Sequence, residues 1–556
     1  MKRAALALLS SMLVFLALGT LALAQPKPEF RLGFKALADQ IPNIVGEPLE
    51  IEHYSPNGDS IQRTTAGMMV WRRADNWTAF TNGSCTWING PAGVQDRGND
   101  ERFPWEETAG VQPMQSVRRV GGSGQYPSLR AAIDAAADGD VIQVAQGTYG
   151  ENITINRPRN VRILGGWSAD FATRSVDGSQ TIIDGRGSGS VFDLGAANGV
   201  VLSLAMEGLT IRNGMAPQGG GIRALASGAG SRINLTLSNV SVANNNSGNR
   251  GGGLYLYATK EGSMVATIAE STIADNRAKN EGGGLRVETQ QAGTAEVTIA
   301  RSVISRNAVT ASAEGDGGID GGGVAAYAAM SGKTNLTITN SKVSDNSAAF
   351  GGGLFGYSWG AEALLNMVVS NNIVSGNRAR WGAAVFSCSG VTDPNTAGHP
   401  GGSTLWRLTN NTITGNVASE GDTIQLHSGS TFGDGGPIDM TLRNDILWGN
   451  ERGKGRDLTA VVDPGRTGAV TAQAAYSDIG SVGTLTGASY RSDHVIQVDP
   501  LFVDPARGDF RLRDGSPGID AGDPDAAHND GRRPPGKGAP RSDIGAYGGP
   551  KNGDWP

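Results

Sequence analysis

Along much of the chain, aliphatic residues recur at fixed distances from an asparagine, and those distances predict the elements. The pattern aliphatic–x–x–Asn ends at Asn245, Asn276, Asn307, Asn346, Asn377, Asn416 and Asn450, at spacings of 31, 31, 39, 31, 39 and 34 residues. Eight residues before each stands Leu237, Ile268, Ile299, Ile338, Val369, Leu408 or Leu442. Ten before stands Leu235, Ala266, Val297, Leu336, Met367, Trp406 or Met440. Apolar positions two apart mark a strand with one buried face. A glycine step follows most of the asparagine ends, at 219–221, 251–253, 282–284, 321–323 and 351–353, and as Gly382-Ala383-Ala384. Another short strand comes next, as in Leu254-Tyr255-Leu256-Tyr257. Each unit therefore predicts three strands separated by turns.

Such units must stack. One coil offers about six inward aliphatics, at ~1.5–3 kcal/mol each when buried. Ordering its roughly thirty residues costs ~1–2 kcal/mol per residue in backbone entropy alone. Only an array, in which neighbours add backbone hydrogen bonds and cover the aliphatic ends, recovers the difference. The predicted fold is all-β: a right-handed parallel β-helix with three strands per coil over residues 125–485.

Two asparagine-rich columns suit coil corners, because Asn tolerates left-handed backbone and bonds nearby amides. The first is the series above. The second, six residues upstream, reads Asn239, Glu270, Arg301, Asn340, Asn371, Asn410 and Asn444. The glycine steps suit a bend needing positive φ or close backbone approach. Asp275, Arg306 and Asp345 share a column and predict a surface ion-pair ladder.

The flanks differ in texture. Lys2 and Arg3, the apolar run Ala4 to Leu23, and Ala22-Leu23-Ala24 predict an export signal over 1–24. Residues 25–110 are aromatic and aperiodic, and 111–124 read as a linker. Leu129, Ala132, Ile133 and Ala136 share one helical face that can plug the open end of the stack. Residues 126–213, with Asp138-Gly139-Asp140, Gly147-Thr148-Tyr149 and Leu164-Gly165-Gly166-Trp167, resemble the opening of pectin-lyase-like β-helix proteins. The Asn and Gly-Gly-Gly coils resemble repeats of bacterial surface β-helices. In the segment 486–556, Asp499-Pro500-Leu501-Phe502, Gly515-Ser516-Pro517-Gly518-Ile519-Asp520-Ala521-Gly522 and Asp543-Ile544-Gly545-Ala546-Tyr547 resemble the closing segment of choice-of-anchor-type surface proteins. Residues 47–54, 71–80 and 87–91 resemble a short module found on many secreted bacterial proteins; its Trp71, Trp77, Trp87 and Trp105 predict a small core or a sugar-binding face.

Composition narrows the function. A net charge of -6 with no basic excess excludes a nucleic-acid partner. After the export signal no apolar run of spanning length follows. Two cysteines, Cys85 and Cys388, are no disulfide scaffold, and their pairing is left open. Asp520, Asp523, Asp525 and Asp530 raise a calcium site, but EF-hand spacing is absent and a loop of Asx-turns is expected instead. No other cofactor is implied.

The resemblance covers lyases, hydrolases and non-enzymes alike, so chemistry must be sought in the residues. On the strand after the glycine step, the two outward columns are Arg223, Tyr255, Arg286, Ala325, Phe355, Phe386, Gln425 and Leu225, Tyr257, Glu288, Tyr327, Tyr357, Cys388, His427. One carboxylate in fourteen positions is poor for acid–base catalysis. Tyr255, Tyr257, Tyr327, Phe355, Tyr357 and Phe386 instead predict an exposed aromatic patch able to stack on sugar rings. The plainer reading is cross-strand stacking beneath a long loop, supplied by the insertion bearing Asp316 and Asp320 or by 391–402. The expected function is thus a secreted or cell-surface, non-catalytic β-helix that binds polysaccharide or another extracellular surface. The competing expectations are a polysaccharide lyase or glycoside hydrolase built on Asp316, Asp320 and Asp422, and a structural spacer. Cys388 beside His427 reads as coincidence rather than a nucleophile pair.

Overall fold

The computed structural model describes residues 28–54, 59–72, 77–90, 93–99, 101, 117–119, 125–311, 320–390, 400–429, 433–450 and 456–555. The expected export signal, most of the linker, Trp105 and Asp316 lie outside them. The chain divides into two compact units, Met1–Pro113 and Met114–Pro556. No helix among the described residues is long and apolar enough to cross a membrane.

In the first unit, helix Leu32–Gln40 packs on a six-stranded antiparallel sheet whose strands follow one another in chain order. Phe34, Leu37, Val45, Met69 and Phe80 form its core, and Trp71 and Trp87 pack against it. Those two tryptophans therefore serve the core, while Trp77 lies under the Arg72 guanidinium, 5.3 Å from its ring centre.

The second unit is dominated by long stacks of parallel strands, an arrangement consistent with a parallel β-helix. Leu254–Thr259 pairs in parallel with Leu285–Gln290, that strand with Val324–Ala329, and so on through Leu354–Trp359, Val385–Ser389, Ile424–Ser428 and Leu458–Val462. A second stack runs through Ser263–Ala269, Thr294–Ala300, Lys333–Thr339, Leu364–Ser370, Ser403–Thr409 and Pro437–Arg443. Both inward columns expected from the repeat are fully buried in one continuous core. Where Trp406 fills that core, Gly356 makes room: a Cβ there would stand 2.7 Å from the indole, whose Nε1 donates to Ser387 Oγ at 2.9 Å.

The glycine steps do both jobs expected of them. Gly282 has φ +66°, and a Cβ on Gly283 would meet the Gly322 carbonyl oxygen at 2.5 Å. At Leu129–Ala135 the capping helix forms as expected, with Ser128 Oγ accepting from Ala131 N and Leu129, Ala132 and Ile133 buried against the core.

The first asparagine column corrects the corner expectation. Left-handed φ falls one residue earlier, at Asn244, Asp275, Arg306 and Asp345, while Asn245, Asn276, Asn307 and Asn346 turn inward and are buried. Each amide bridges rungs: Asn276 Oδ1 accepts from the backbone N and Nδ2 of Asn245, both at 3.0 Å, and its Nδ2 donates to Val242 O at 2.8 Å. Turning inward satisfies buried strand-end carbonyls that water cannot reach. Left outside, Arg306 pairs with Asp275 at 2.7 Å in the expected surface ladder.

The second column is left-handed throughout, and the C-terminal segment docks on it. Asn340 Nδ2 donates to Lys551 O, Asn371 Nδ2 to Gly548 O, and Asn410 Nδ2 to Asp543 O; Asn444 Oδ1 accepts from Asp523 N. Beside them Ile373 and Ile446 pack with Phe502, Phe510, Leu512 and Ile544. The segment therefore covers a flank of the stack, and the parallel strands run past the expected boundary at 485 to Ser489–Asp493.

Candidate functional site

The outward columns on the Leu254–Ser428 strands register as the repeat predicts: Tyr255 beside Arg286, Glu288 beside Tyr327, Tyr327 beside Tyr357, Phe355 beside Phe386, and Cys388 beside His427. Their exposure does not follow the expectation. Tyr255 is 2% exposed, Phe355 3%, Phe386 5%, Tyr327 6% and Tyr357 8%; of the six, Tyr257 alone is half-buried.

The physical reason is that the rings fill one another's space. Phe355 and Phe386 stack with centres 5.7 Å apart, and Tyr357 meets Tyr327 edge-on at 5.5 Å. Phe350, Trp359 and Trp381 pack around this cluster and remain half-exposed. Phe350 and Trp381 stack at 4.9 Å, and the Arg380 guanidinium lies 4.2 Å from the Trp381 ring centre.

Toward the N-terminal coils the aromatic cluster gives way to a buried ion network that the column reading had not assembled. The Arg286 guanidinium lies 3.6 Å over the Tyr327 ring, donates from Nε to Glu288 at 3.0 Å, and pairs through Nη1 with Glu281. Tyr255 Oη donates to the same Glu288 oxygen at 2.7 Å, and Arg250 pairs with Glu281 at 2.8 Å. Burial opposes both charges, yet the glutamates hold Arg286 well above its ordinary value, and Arg286 and Arg250 hold Glu288 below the carboxylate range. A carboxylate committed this way has no proton to give to a leaving group.

Of the candidate acids, the two among the described residues, Asp320 and Asp422, stand on different rungs. Asp316 falls outside the described residues. Asp320 accepts from Tyr327 Oη at 2.9 Å. Asp422 is buried and accepts from Thr459 Oγ1. Asp320 lies beside Phe350, Phe350 beside Trp381, and Asp422 belongs to the next rung. Three rungs at ~4.8 Å put the backbones of Asp320 and Asp422 about 14 Å apart, and each carboxylate already accepts from a hydroxyl. Burial pushes the Cys388 thiol up to about 12, the opposite of an activated nucleophile, and His427 Nε2 pairs with Asp463 at 2.8 Å.

The acidic C-terminal loop gives carboxylate oxygens to backbone amides, although Asp520 Oδ1 and Asp530 Oδ2 are buried without a hydrogen-bond partner among the described residues. Asp520 accepts from Ala539 N, Asp525 from Ala527 N, and Asp530 from Gly549 N, while Asp523 pairs with Arg443. Among the described residues no group of three or more His, Cys, Asp or Glu is arranged to hold a metal ion. Both described thiols, Cys85 and Cys388, are free.

One polar column escaped the sequence reading. Immediately after each left-handed corner, Ser271, Ser302, Ser341, Asn372, Asn411, Asp445 and Ser477 form a second buried ladder, each side-chain oxygen accepting the amide one rung before. Its signal was a small polar residue adjoining the second asparagine column. A scan against protein-family models gave no match for the chain, and a search of curated proteins gave none.

Proposed function

We propose that this chain is a secreted or surface-exposed, non-catalytic right-handed parallel β-helix of the pectin-lyase-like type, with three strands per coil, that binds polysaccharide or another extracellular surface. The parallel stacks advancing in step support the coil, and parallel connections are right-handed in all but a few per cent of cases. Lys2, Arg3 and the apolar run after them support export. The reading needs no cofactor, nucleic acid or membrane-spanning segment.

The observation that carries the binding reading is the half-exposed rim of Phe350, Trp359 and Trp381 around a rigid aromatic floor. Aromatic faces fixed by packing present sugar-stacking area at low entropic cost. Binding is thus assigned to the rim, with Tyr257 alongside, rather than to the buried rings. In a glycan-array screen with released reducing ends followed in the same wells, the parent chain is expected to retain a polysaccharide without product. Trp381→Ala is expected to weaken retention roughly tenfold, through loss of the exposed indole edge and of the ring that holds Phe350 in the rim. Unchanged retention in that variant sinks the assignment, and product formation returns the search to an enzyme.

The spacer reading is favoured by one observation: the outward aromatics are spent on mutual packing. It predicts no retention by the parent chain.

A further inference from the structure

The two ends of the parallel stack differ. At the N-terminal end, helix Leu129–Ala135 buries its apolar face on the core, and Val117–Arg119 runs antiparallel beside Asp140–Ala145. At the other end, strand Ser489–Asp493 pairs with Ala469–Ala475, and Val482–Thr486 with Leu458–Val462; among the described residues their outer edges pair with nothing. The C-terminal segment, docked on the flank, leaves this end open. In this last rung Tyr490 is half-buried against the core, while Ser492, in register with buried Ala474, is exposed. Val482, Leu485, Val498 and Leu501 are 37–42% exposed within the same stretch. An unpaired edge backed by apolar surface is a template for another strand.

The charges on that edge select the occupant. Arg491 and Asp493 are both exposed and, two residues apart, share one face of the strand. If the strand pairs antiparallel with a copy of itself about Ser492, Arg491 of each copy faces Asp493 of the other. The two-fold axis makes this attractive pair twice. The Asp493 carboxylate pairs with exposed His494, at 2.7 Å, and remains accessible. Head-to-tail growth would need an open N-terminal end, which the capping helix covers.

We propose that the open end of the stack is an interaction surface for a second copy of this chain, joined by antiparallel pairing of Ser489–Asp493 with its counterpart. The pairing keeps the inward faces of both strands on one side, so the apolar cross-section of each stack is covered by the other. Because the contact is isologous it closes on itself as a dimer.

Sedimentation of the purified chain over a concentration series tests this. A monomer–dimer equilibrium is expected. Arg491→Asp and Asp493→Arg, each placing like charges opposite one another twice, should each weaken it by about tenfold or more. The double exchange Arg491→Asp with Asp493→Arg should restore it. Both positions are exposed, so folding is not at stake. A chain that stays monomeric, an assembly that grows beyond two, or a dimer indifferent to the single changes or unrescued by the double one overturns the proposal.

Discussion

An Asp445→Asn protein is expected to resist unfolding better than its parent above pH 7 and to lose part of the parent's pH dependence. Asp445 stands in the second interior ladder, between Asn411 and Ser477. Its Oδ1 accepts from Asn411 N at 2.7 Å and Asn411 Nδ2 at 2.8 Å, and its Oδ2 from Arg443 N at 2.9 Å. Burial nevertheless pushes the carboxyl up to about 7, the hydrogen bonds recovering only part of the cost of the charge. The unfolded chain titrates near the ordinary value of ~3.9. With the folded value the higher, the folded state binds more protons between the two. Stability is therefore full below about pH 4 and is lost as pH rises through about 7, a change of about 4 kcal/mol for this one group.

An amide removes the buried charge and keeps the Oδ1 bonds to Asn411, while Arg443 N gives up its Oδ2 acceptor, at ~1–3 kcal/mol, less than the charge costs. Asn411 donates its Nδ2 to Val369 O, and Leu408, the register partner of Val369, presents the matching carbonyl to position 445. Burial also pushes Asp457 up to about 6 and Asp478 and Asp530 up to about 7, so the variant should keep a residual slope of the same sign. Carboxylates that hydrogen bonds hold below their ordinary value, such as Asp170, Asp177 and Asp434, stay ionised across this window and leave it untouched. Urea unfolding at pH 5 and pH 8 is the check. A parent more stable at pH 8 than at pH 5, or a variant weaker than the parent at pH 8, refutes the expectation.

The second large effect is expected from Asn346→Ala, at roughly 3 kcal/mol or more of stability. Asn346 Oδ1 accepts from Asn307 N and Nδ2, and its Nδ2 donates to Ile304 O and Asn377 Oδ1, all at 3.0 Å. Alanine takes this partner from Asn307 N and Ile304 O, at ~1–3 kcal/mol for each that water cannot reach, while Asn307 Nδ2 keeps Ile273 O and Asn377 Oδ1 keeps the backbone N at 346. The neighbouring exposed corner supplies the control: Asp345→Asn keeps a residue that tolerates its φ of +58° and should stay within ~0.5 kcal/mol of the parent. Equal unfolding midpoints for Asn346→Ala and the control would show that the ladder carries no stability.

Much of the stack was legible because its periodicity is local. Two apolar positions set ten and eight residues before an asparagine specify which face of a strand is buried, and repetition of that unit specifies its neighbours. The register of Tyr327 with Tyr357, and of Cys388 with His427, follows from counting along the chain. The capping helix was legible for the same reason, since Leu129, Ala132 and Ile133 lie within two turns of each other.

What counting could not supply is the third dimension of each column. Glu270 stands at a tight corner and Asn276 one residue after one, and only the path of the backbone through these corners leaves the first side chain in solvent and turns the second into the core. The aromatic columns were placed correctly and misjudged in exposure, because a ring's accessibility depends on rings one and two rungs away and on Phe350, Trp359 and Trp381 beside the sheet. The pairing of Arg286 with Glu281, and the laying of the C-terminal segment along Asn340 to Asn444, join residues whose proximity no repeat encodes. Strands, their order and their buried faces follow from residues close along the chain, since these depend on neighbours within a coil. Only the tertiary structure decided what is covered and which charges are shared, because those depend on surfaces that meet after the coils have stacked.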